Sequence, residues 1–153
     1  MTRWCFAGTY SPTSGATACT NCVAGTYSAA GASVCTDCVA GKYSGLAAQT
    51  SDTACVDCVA GTYSLAGAAL CTNCVAGKYS VVLGAPSDEF CQDCGAGTYS
   101  AAGALVCTDC EAGKFSAAIG ATTVDTCLDF LDSVCRLFES SSLLAPRASS
   151  LLP

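Results

Sequence analysis

Residues 19–28 read Cys-Thr-Asn-Cys-Val-Ala-Gly-Thr-Tyr-Ser, and variations on this stretch fill most of the chain. Further copies open at Cys35, Cys55, Cys71, Cys91 and Cys107. This self-similar period of 16 to 20 residues overrides the single compact domain that a length of 153 residues would otherwise suggest. The sequence therefore predicts small units arranged in line.

The cysteine content indicates the class of protein and its compartment. Each unit is too short to bury a core of its own, so covalent bonds have to replace the missing burial. Fifteen cysteines in 153 residues are typical of a disulfide scaffold, which requires an oxidising compartment because cytosolic thiols are kept reduced. We therefore expect an extracellular or cell-surface protein. No signal-peptide leader follows Met1, so we expect a removed leader or a fragment.

Composition also argues against several functions. The net charge is −6 and no basic cluster occurs, which disfavours nucleic-acid binding. The absence of His removes the commonest acid/base group, so we expect no enzyme, no catalytic residue and no cofactor. No run of eighteen apolar residues is present, and we expect no membrane span.

The two ends of the repeated region each lack one cysteine. Thr2 stands where later copies have the first cysteine of Cys-x-x-Cys, and Phe130 stands at the second position of the last copy. Bonds within each Cys-x-x-Cys would leave Cys5 and Cys127 unpaired. Joining the second cysteine of each pair to the first of the next uses fourteen of the fifteen cysteines and leaves Cys135.

The bonds of this sequential pairing are Cys5 to Cys19, Cys22 to Cys35, Cys38 to Cys55, Cys58 to Cys71, Cys74 to Cys91, Cys94 to Cys107 and Cys110 to Cys127. It is the favoured pairing, and interleaved pairings remain open. Tetrathiolate zinc also fits pairs of Cys-x-x-Cys separated by twelve residues, but it requires a reducing compartment and gives Cys5 and Cys127 no role. An oxidoreductase would need a βαβ pattern that the sequence lacks.

The spacing of the paired cysteines alternates. The separations are 14, 13, 17, 13, 17, 13 and 17 residues, so a short and a long module together make a 36-residue unit from Cys19 onward. Long modules carry Lys42, Lys78 and Lys114 where short modules carry Thr, and they have Asp52, Asp88 and Asp125 near the closing cysteine. We expect each such Lys and Asp to be solvated on opposite arms of a longer hairpin, contributing about 0–1 kcal/mol if they meet.

Each module is predicted to be a disulfide-closed hairpin. Gly25 and its equivalents stand where a sharp turn favours positive φ. Thr26-Tyr27-Ser28 alternates, which predicts a short strand with the ring on one face and both hydroxyls on the other. The core that the sequence offers is one ring per module: Tyr10, Tyr27, Tyr43, Tyr63, Tyr79, Tyr99 and Phe115. The alternative is an aromatic ladder that binds carbohydrate or bases.

An Asn or Asp precedes the second cysteine of every complete pair, which predicts an Asx-turn between modules. These residues are Asn21, Asp37, Asp57, Asn73, Asp93 and Asp109. Calcium would need several oxygens converging on one ion, whereas these carboxylates are isolated along the sequence. Calcium is therefore the weaker interpretation, and no metal site is expected.

The character of the sequence changes after Cys127. Apolar residues at near-helical spacing predict a short amphipathic helix over residues 128–139. Residues 140–153 are mostly Ser, Leu, Ala and Pro without a period, which predicts a flexible tail. Cys135 lies on the predicted helix, and we expect it either buried and inert or bonded to a second chain.

The recurrent Cys-x-Ala-Gly-(Thr/Lys)-Tyr-Ser, followed by Cys-x-x-Cys, resembles the ephrin-receptor-like cysteine-rich repeats of extracellular proteins over residues 5–127. The module is also similar to the first half of a tumour-necrosis-factor-receptor cysteine-rich domain. That second likeness implies a hairpin closed by one local disulfide, in line with the sequential pairing. The chain departs from both patterns at Thr2 and Phe130, and it has Ala where such repeats often have Pro.

The predicted fold is small, disulfide-rich and β: a linear array of disulfide-closed hairpins forming an extended rod over residues 1–127. The leading functional interpretation is an extracellular structural or spacer protein, such as a coat or filament component, whose partners are other proteins or copies of itself. The alternative is a ligand-binding fragment of a receptor or adhesion ectodomain. A zinc-binding protein is the third interpretation.

Overall fold

The computed structural model describes residues 4–13 and 17–129 of the chain. In this part, fourteen two-residue strands pair into seven antiparallel hairpins. The outgoing strands are β1 (Thr9–Tyr10), β3 (Thr26–Tyr27), β5 (Lys42–Tyr43), β7 (Thr62–Tyr63), β9 (Lys78–Tyr79), β11 (Thr98–Tyr99) and β13 (Lys114–Phe115). The returning strands are β2 (Thr20–Asn21), β4 (Thr36–Asp37), β6 (Val56–Asp57), β8 (Thr72–Asn73), β10 (Gln92–Asp93), β12 (Thr108–Asp109) and β14 (Leu128–Asp129).

Each long module also contains one short 3-10 helix just before its closing cysteine. The three helices are Asp52–Ala54, Asp88–Phe90 and Val124–Thr126. They account for the extra length of the long modules: the separation between bonded cysteines is 17 residues there, against 13 in modules such as Cys22–Cys35.

Seven disulfides close the seven hairpins, and their partners are those of the sequential pairing from Cys5–Cys19 to Cys110–Cys127. We number the modules 1 to 7 by these bonds. All fourteen of these sulfurs are bonded to another sulfur, so the structure has disulfides where the zinc interpretation requires free thiolates.

Neighbouring modules are joined by backbone hydrogen bonds of one repeated kind. Between modules 2 and 3, the N–H of Gly25 donates to the carbonyl of Ser44 at 2.7 Å, and the N–H of Ser28 donates to that of Gln49 at 3.0 Å. In the reverse direction, the N–H of Ala48 donates to the carbonyl of Cys22 at 2.8 Å. The same three bonds recur at all six joints, so each joint has the same geometry.

Modules also contact the next module but one. A Cβ built on Gly25 of module 2 would lie 2.1 Å from the carbonyl oxygen of Gly67 in module 4, and Gly41 of module 3 has the same relation to Gly84 of module 5. Modules of the same parity therefore touch directly. We call modules 1, 3, 5 and 7 the odd row, and modules 2, 4 and 6 the even row. The three modules with a separation of 13 residues thus share the even row, while module 1, with a separation of 14 residues, lies in the odd row with the three long modules.

The buried interior consists of disulfides and small side chains. Cys22, Cys58 and Cys94 are 0% exposed, and the serine that follows the ring is 1–4% exposed in modules 2 to 7. These serines are Ser28, Ser44, Ser64, Ser80, Ser100 and Ser116. The six tyrosines are only half-buried, and Phe115 is exposed. The prediction that the rings form the core is therefore wrong, because the serine backbone makes the joints and the hydroxyls of the even row, such as that of Ser28, bond to the preceding module.

The contacts between modules are local along the chain. In the described residues, the backbone hydrogen bonds between modules join each module to its immediate neighbours, and the close glycine contacts join it to the second neighbours. Such nearest-neighbour burial is typical of linear repeat arrays.

Two local predictions need correction. The Asx residues lie in the returning strands and not in turns, since Asp37 pairs with Thr26 and Asp57 with Lys42. The ladder continues past the closing cysteine because the N–H of the next cysteine still bonds to the glycine carbonyl of the hairpin.

The predicted helix does not begin at Leu128, because Leu128 and Asp129 form β14. Its remainder, the predicted tail and Cys135 lie outside the described residues.

Candidate functional site

The lysines of the long modules form ion pairs across their own hairpins. Lys42 Nζ lies 2.7 Å from Asp57 Oδ1, and Lys78 Nζ lies 2.7 Å from Asp93 Oδ1. In each case the two residues face each other in the strand register. The partner is thus the aspartate two residues beyond the closing cysteine, not the Asp52 or Asp88 considered from the sequence. Such partly exposed pairs contribute about 0.2–1 kcal/mol.

The third long module departs from this arrangement. Lys114 faces Asp129 in the register, yet its Nζ lies 4.0 Å from Glu111 Oε2. Glu111 occupies the position that Val39 and Val75 hold in the other long modules. The ammonium group of Lys114 thus lies near Glu111, three residues earlier in the chain, and not across the hairpin as in the other two long modules.

A groove opens beside each of the two regular ion pairs. Each groove has a volume of 290 Å³. The first is lined by Tyr27, Asp37, Val39, Lys42, Asp52 and Thr53, and the second by Tyr63, Val75, Lys78, Asp88 and Glu89. We call them the long-module grooves. They recur because modules 2 and 3 repeat as modules 4 and 5 after 36 residues.

The grooves combine an aromatic wall with excess negative charge. The ring of Tyr27 comes from the short module and the apolar wall of Val39 from the long one. Lys42 is already paired with Asp57, so Asp37 and Asp52 leave the first groove acidic. A ring beside carboxylates suits a cationic or hydroxyl-bearing group of a partner. Among the described residues, no three Asp, Glu or Cys side chains converge as metal ligands would.

The two rows carry different charge. The turns of the described long modules hold four acidic residues and no cation: Asp52, Asp88, Glu89 and Asp125. The turns of the short modules, residues 29–34, 65–70 and 101–106, hold no charged residue at all. The array therefore has one acidic row and one row whose turns are neutral.

Several of these roles were not foreseen from the sequence. The buried serines and the ion-pair partners Asp57 and Asp93 are the clearest cases. The signal for the serines is their recurrence after the ring in every module, from Ser11 to Ser116. The signal for the aspartates is that Asp follows the closing cysteine of the lysine-bearing modules at positions 57, 93 and 129, whereas short modules have Asn or Asp there.

The predicted rings are divided between roles. Tyr27 and Tyr63 line the long-module grooves, while Tyr79 donates a hydrogen bond from its hydroxyl to Gln92 Oε1 at 3.0 Å. They are spread over both rows, so they form no single ladder within one row.

No family model matches the chain, and no curated protein sequence matches it significantly. Within the described part of the chain, no helix has the length and apolar character needed to cross a bilayer. The seven disulfides and tandem hairpins are those of a disulfide-rich repeat protein suited to an oxidising, extracellular compartment.

Proposed function

We propose that this protein is a non-catalytic, extracellular structural spacer of the ephrin-receptor-like repeat type, a component of a cell-surface coat or filament. Its task is to hold attached partners at a set distance and to resist proteolysis. The Cys-x-Ala-Gly-x-Tyr-Ser pattern and the disulfide content support this assignment.

The observation that carries the proposal is that modules contact both their first and their second neighbours along the chain. Every module is hydrogen-bonded to the next one, and glycines such as Gly25 hold the turn of the next module but one. If each module contacted only its neighbours, the three hydrogen bonds of the joint alone would resist bending there. Contact with the second neighbour restrains that bending, because a bend would have to open both contacts at once. A stiff array of identical joints is what a spacer of fixed length requires.

The test removes two modules without disturbing the register. Deleting residues 55–90 joins Ala54 to Cys91, so Cys38 closes a long module with Cys91 in place of Cys55. Small-angle scattering should show a longest dimension reduced by the rise of two modules, with both proteins resistant to protease until reduced. A compact chain of this length would have a radius of gyration of about 15 Å, and such a value for the full-length protein would contradict the spacer proposal.

The long-module grooves favour one second candidate, a ligand-binding fragment of a receptor or adhesion ectodomain. Two acidic grooves of equal volume, each with a tyrosine in its wall, would accept a partner with repeated basic side chains. Titration with a basic peptide separates the candidates: saturable binding lost in Asp52→Asn with Asp88→Asn supports the receptor, whereas no binding supports the spacer. Asp125→Asn, which lies outside both grooves, is the matched control.

A further inference from the structure

The turns of the even row carry almost only apolar side chains. Residues 29–34 read Ala-Ala-Gly-Ala-Ser-Val, residues 65–70 read Leu-Ala-Gly-Ala-Ala-Leu, and residues 101–106 read Ala-Ala-Gly-Ala-Leu-Val. One serine is the only polar side chain among these eighteen residues. We call the three turns together the neutral face.

The larger side chains of the neutral face are in solvent. Leu65 is 65% exposed and Leu70 is 73% exposed in module 4, with similar exposure at the ends of the row for Val34, Leu105 and Val106. The turns lie in one row because Gly25 contacts Gly67 and Gly61 contacts Gly103. Exposed apolar side chains that recur along one row in this way mark an interaction site.

Charge decides what covers this surface. The chain carries a net charge of −6, and the turns of the odd row carry four carboxylates without a cation. Two copies that met through their odd rows would place these like charges opposite each other at a cost in free energy. The turns of the neutral face impose no such cost, although Asp37 lies against Gly67 at its base. A second copy can therefore approach closely along the even row while both acidic rows remain in solvent.

The repeat spacing adds a geometric reason. Apolar turns recur every 36 residues along the neutral face, so a second copy presents turns at the same spacing. A two-fold axis through module 4 would set module 4 against module 4 and module 2 against module 6, which closes the interface without further growth. We propose that two copies of this chain pair side by side and antiparallel through their neutral faces. This inference rests on the proposed structural role, to which it assigns a partner.

The test substitutes two leucines in the central short module. Leu65→Asp with Leu70→Asp places four charges at the centre of a paired neutral face. Leu46→Asp with Leu83→Asp is the matched control, since these leucines are 69% and 71% exposed but lie on odd-row modules. All three proteins are compared by sedimentation equilibrium over a range of concentrations, and intact mass verifies their disulfides.

We expect a reversible dimer for the unsubstituted protein and for the odd-row variant, and a dissociation constant raised at least about tenfold in the even-row variant. A monomer at every concentration for the unsubstituted protein would overturn the proposal, as would equal effects of the two variants. Non-reducing electrophoresis identifies a dimer bonded through Cys135, and such a dimer unaffected by the even-row variant would also overturn it. Should the even-row variant misfold, Leu70→Ser replaces it with the same expectation. Scattering of the monomers tests the rod separately, so a failed dimer and a failed spacer give different results.

Discussion

The carbonyl oxygen of Gly67 occupies the space that a side chain on Gly25 would need, 2.1 Å from the position of its Cβ. The two glycines belong to modules 2 and 4, so this contact skips the module between them. Gly25 also has φ of +86°, a conformation that an L side chain rarely adopts. The position is thus constrained twice, once by its own backbone and once by another module.

Gly25→Ala should therefore destabilise the array more than backbone strain alone explains. Gly113→Ala is the matched control, because Gly113 has the same φ of +86° but no described atom within 4 Å of its Cβ position. We expect Gly113→Ala to cost about 1–2 kcal/mol and Gly25→Ala to cost about 1–3 kcal/mol more. Denaturant unfolding with disulfides intact measures both changes in the free energy of unfolding. Equal losses in the two variants would show that the contact between second neighbours does not constrain Gly25.

Ala48 is the one non-glycine residue with positive φ in the described part of the chain, at +58°. Its equivalents in modules 5 and 7 are Gly84 and Gly120, with φ of +64° and +69°. Ala48→Gly should therefore stabilise module 3 by about 1 kcal/mol, and Gly84→Ala should destabilise module 5 by a similar amount. Thermal unfolding of the two variants should show shifts of opposite sign, and a destabilised Ala48→Gly would refute the assignment of strain.

Ser64 connects modules 4 and 3 through its side chain. Its Oγ donates to the carbonyl of Lys42 at 3.0 Å, and the residue is 2% exposed. Ser64→Ala removes this donor from a partly buried hydrogen bond and should cost about 1 kcal/mol. Ser33→Ala, at an exposed serine in a short-module turn, should change stability by less than about 0.5 kcal/mol. Similar losses in both variants would show that the hydroxyl contributes nothing at the joint.

The disulfide of module 4 should carry much of that module's stability. Replacing both Cys58 and Cys71 with Ala reopens a loop with a sequence separation of 13 residues, which the chain-entropy model values at about 3 kcal/mol. We expect amide hydrogen exchange to rise in module 4 and in the modules that contact it. Unchanged protection there would mean that packing, and not the bond, holds the hairpin.

Much of the fold could be predicted because covalent chemistry determines it. The lost cysteines at Thr2 and Phe130 favour one pairing, and a bond over 13 to 17 residues leaves room for little besides a hairpin. The joints could not be predicted, because backbone hydrogen bonds between modules leave no mark on residue type. Ser28 after a strand is as typical of a solvated turn as of a buried joint, and nothing in the spacing places Gly25 beside Gly67.

Peptide mapping of the native protein without reduction tests the account most directly, because every contact described above depends on how the hairpins are closed. The account predicts seven linked peptide pairs, from Cys5–Cys19 to Cys110–Cys127, of which the five between them each bridge one Cys-x-x-Cys and the next. A peptide in which Cys19 is bonded to Cys22, or zinc held by free thiols, would contradict it.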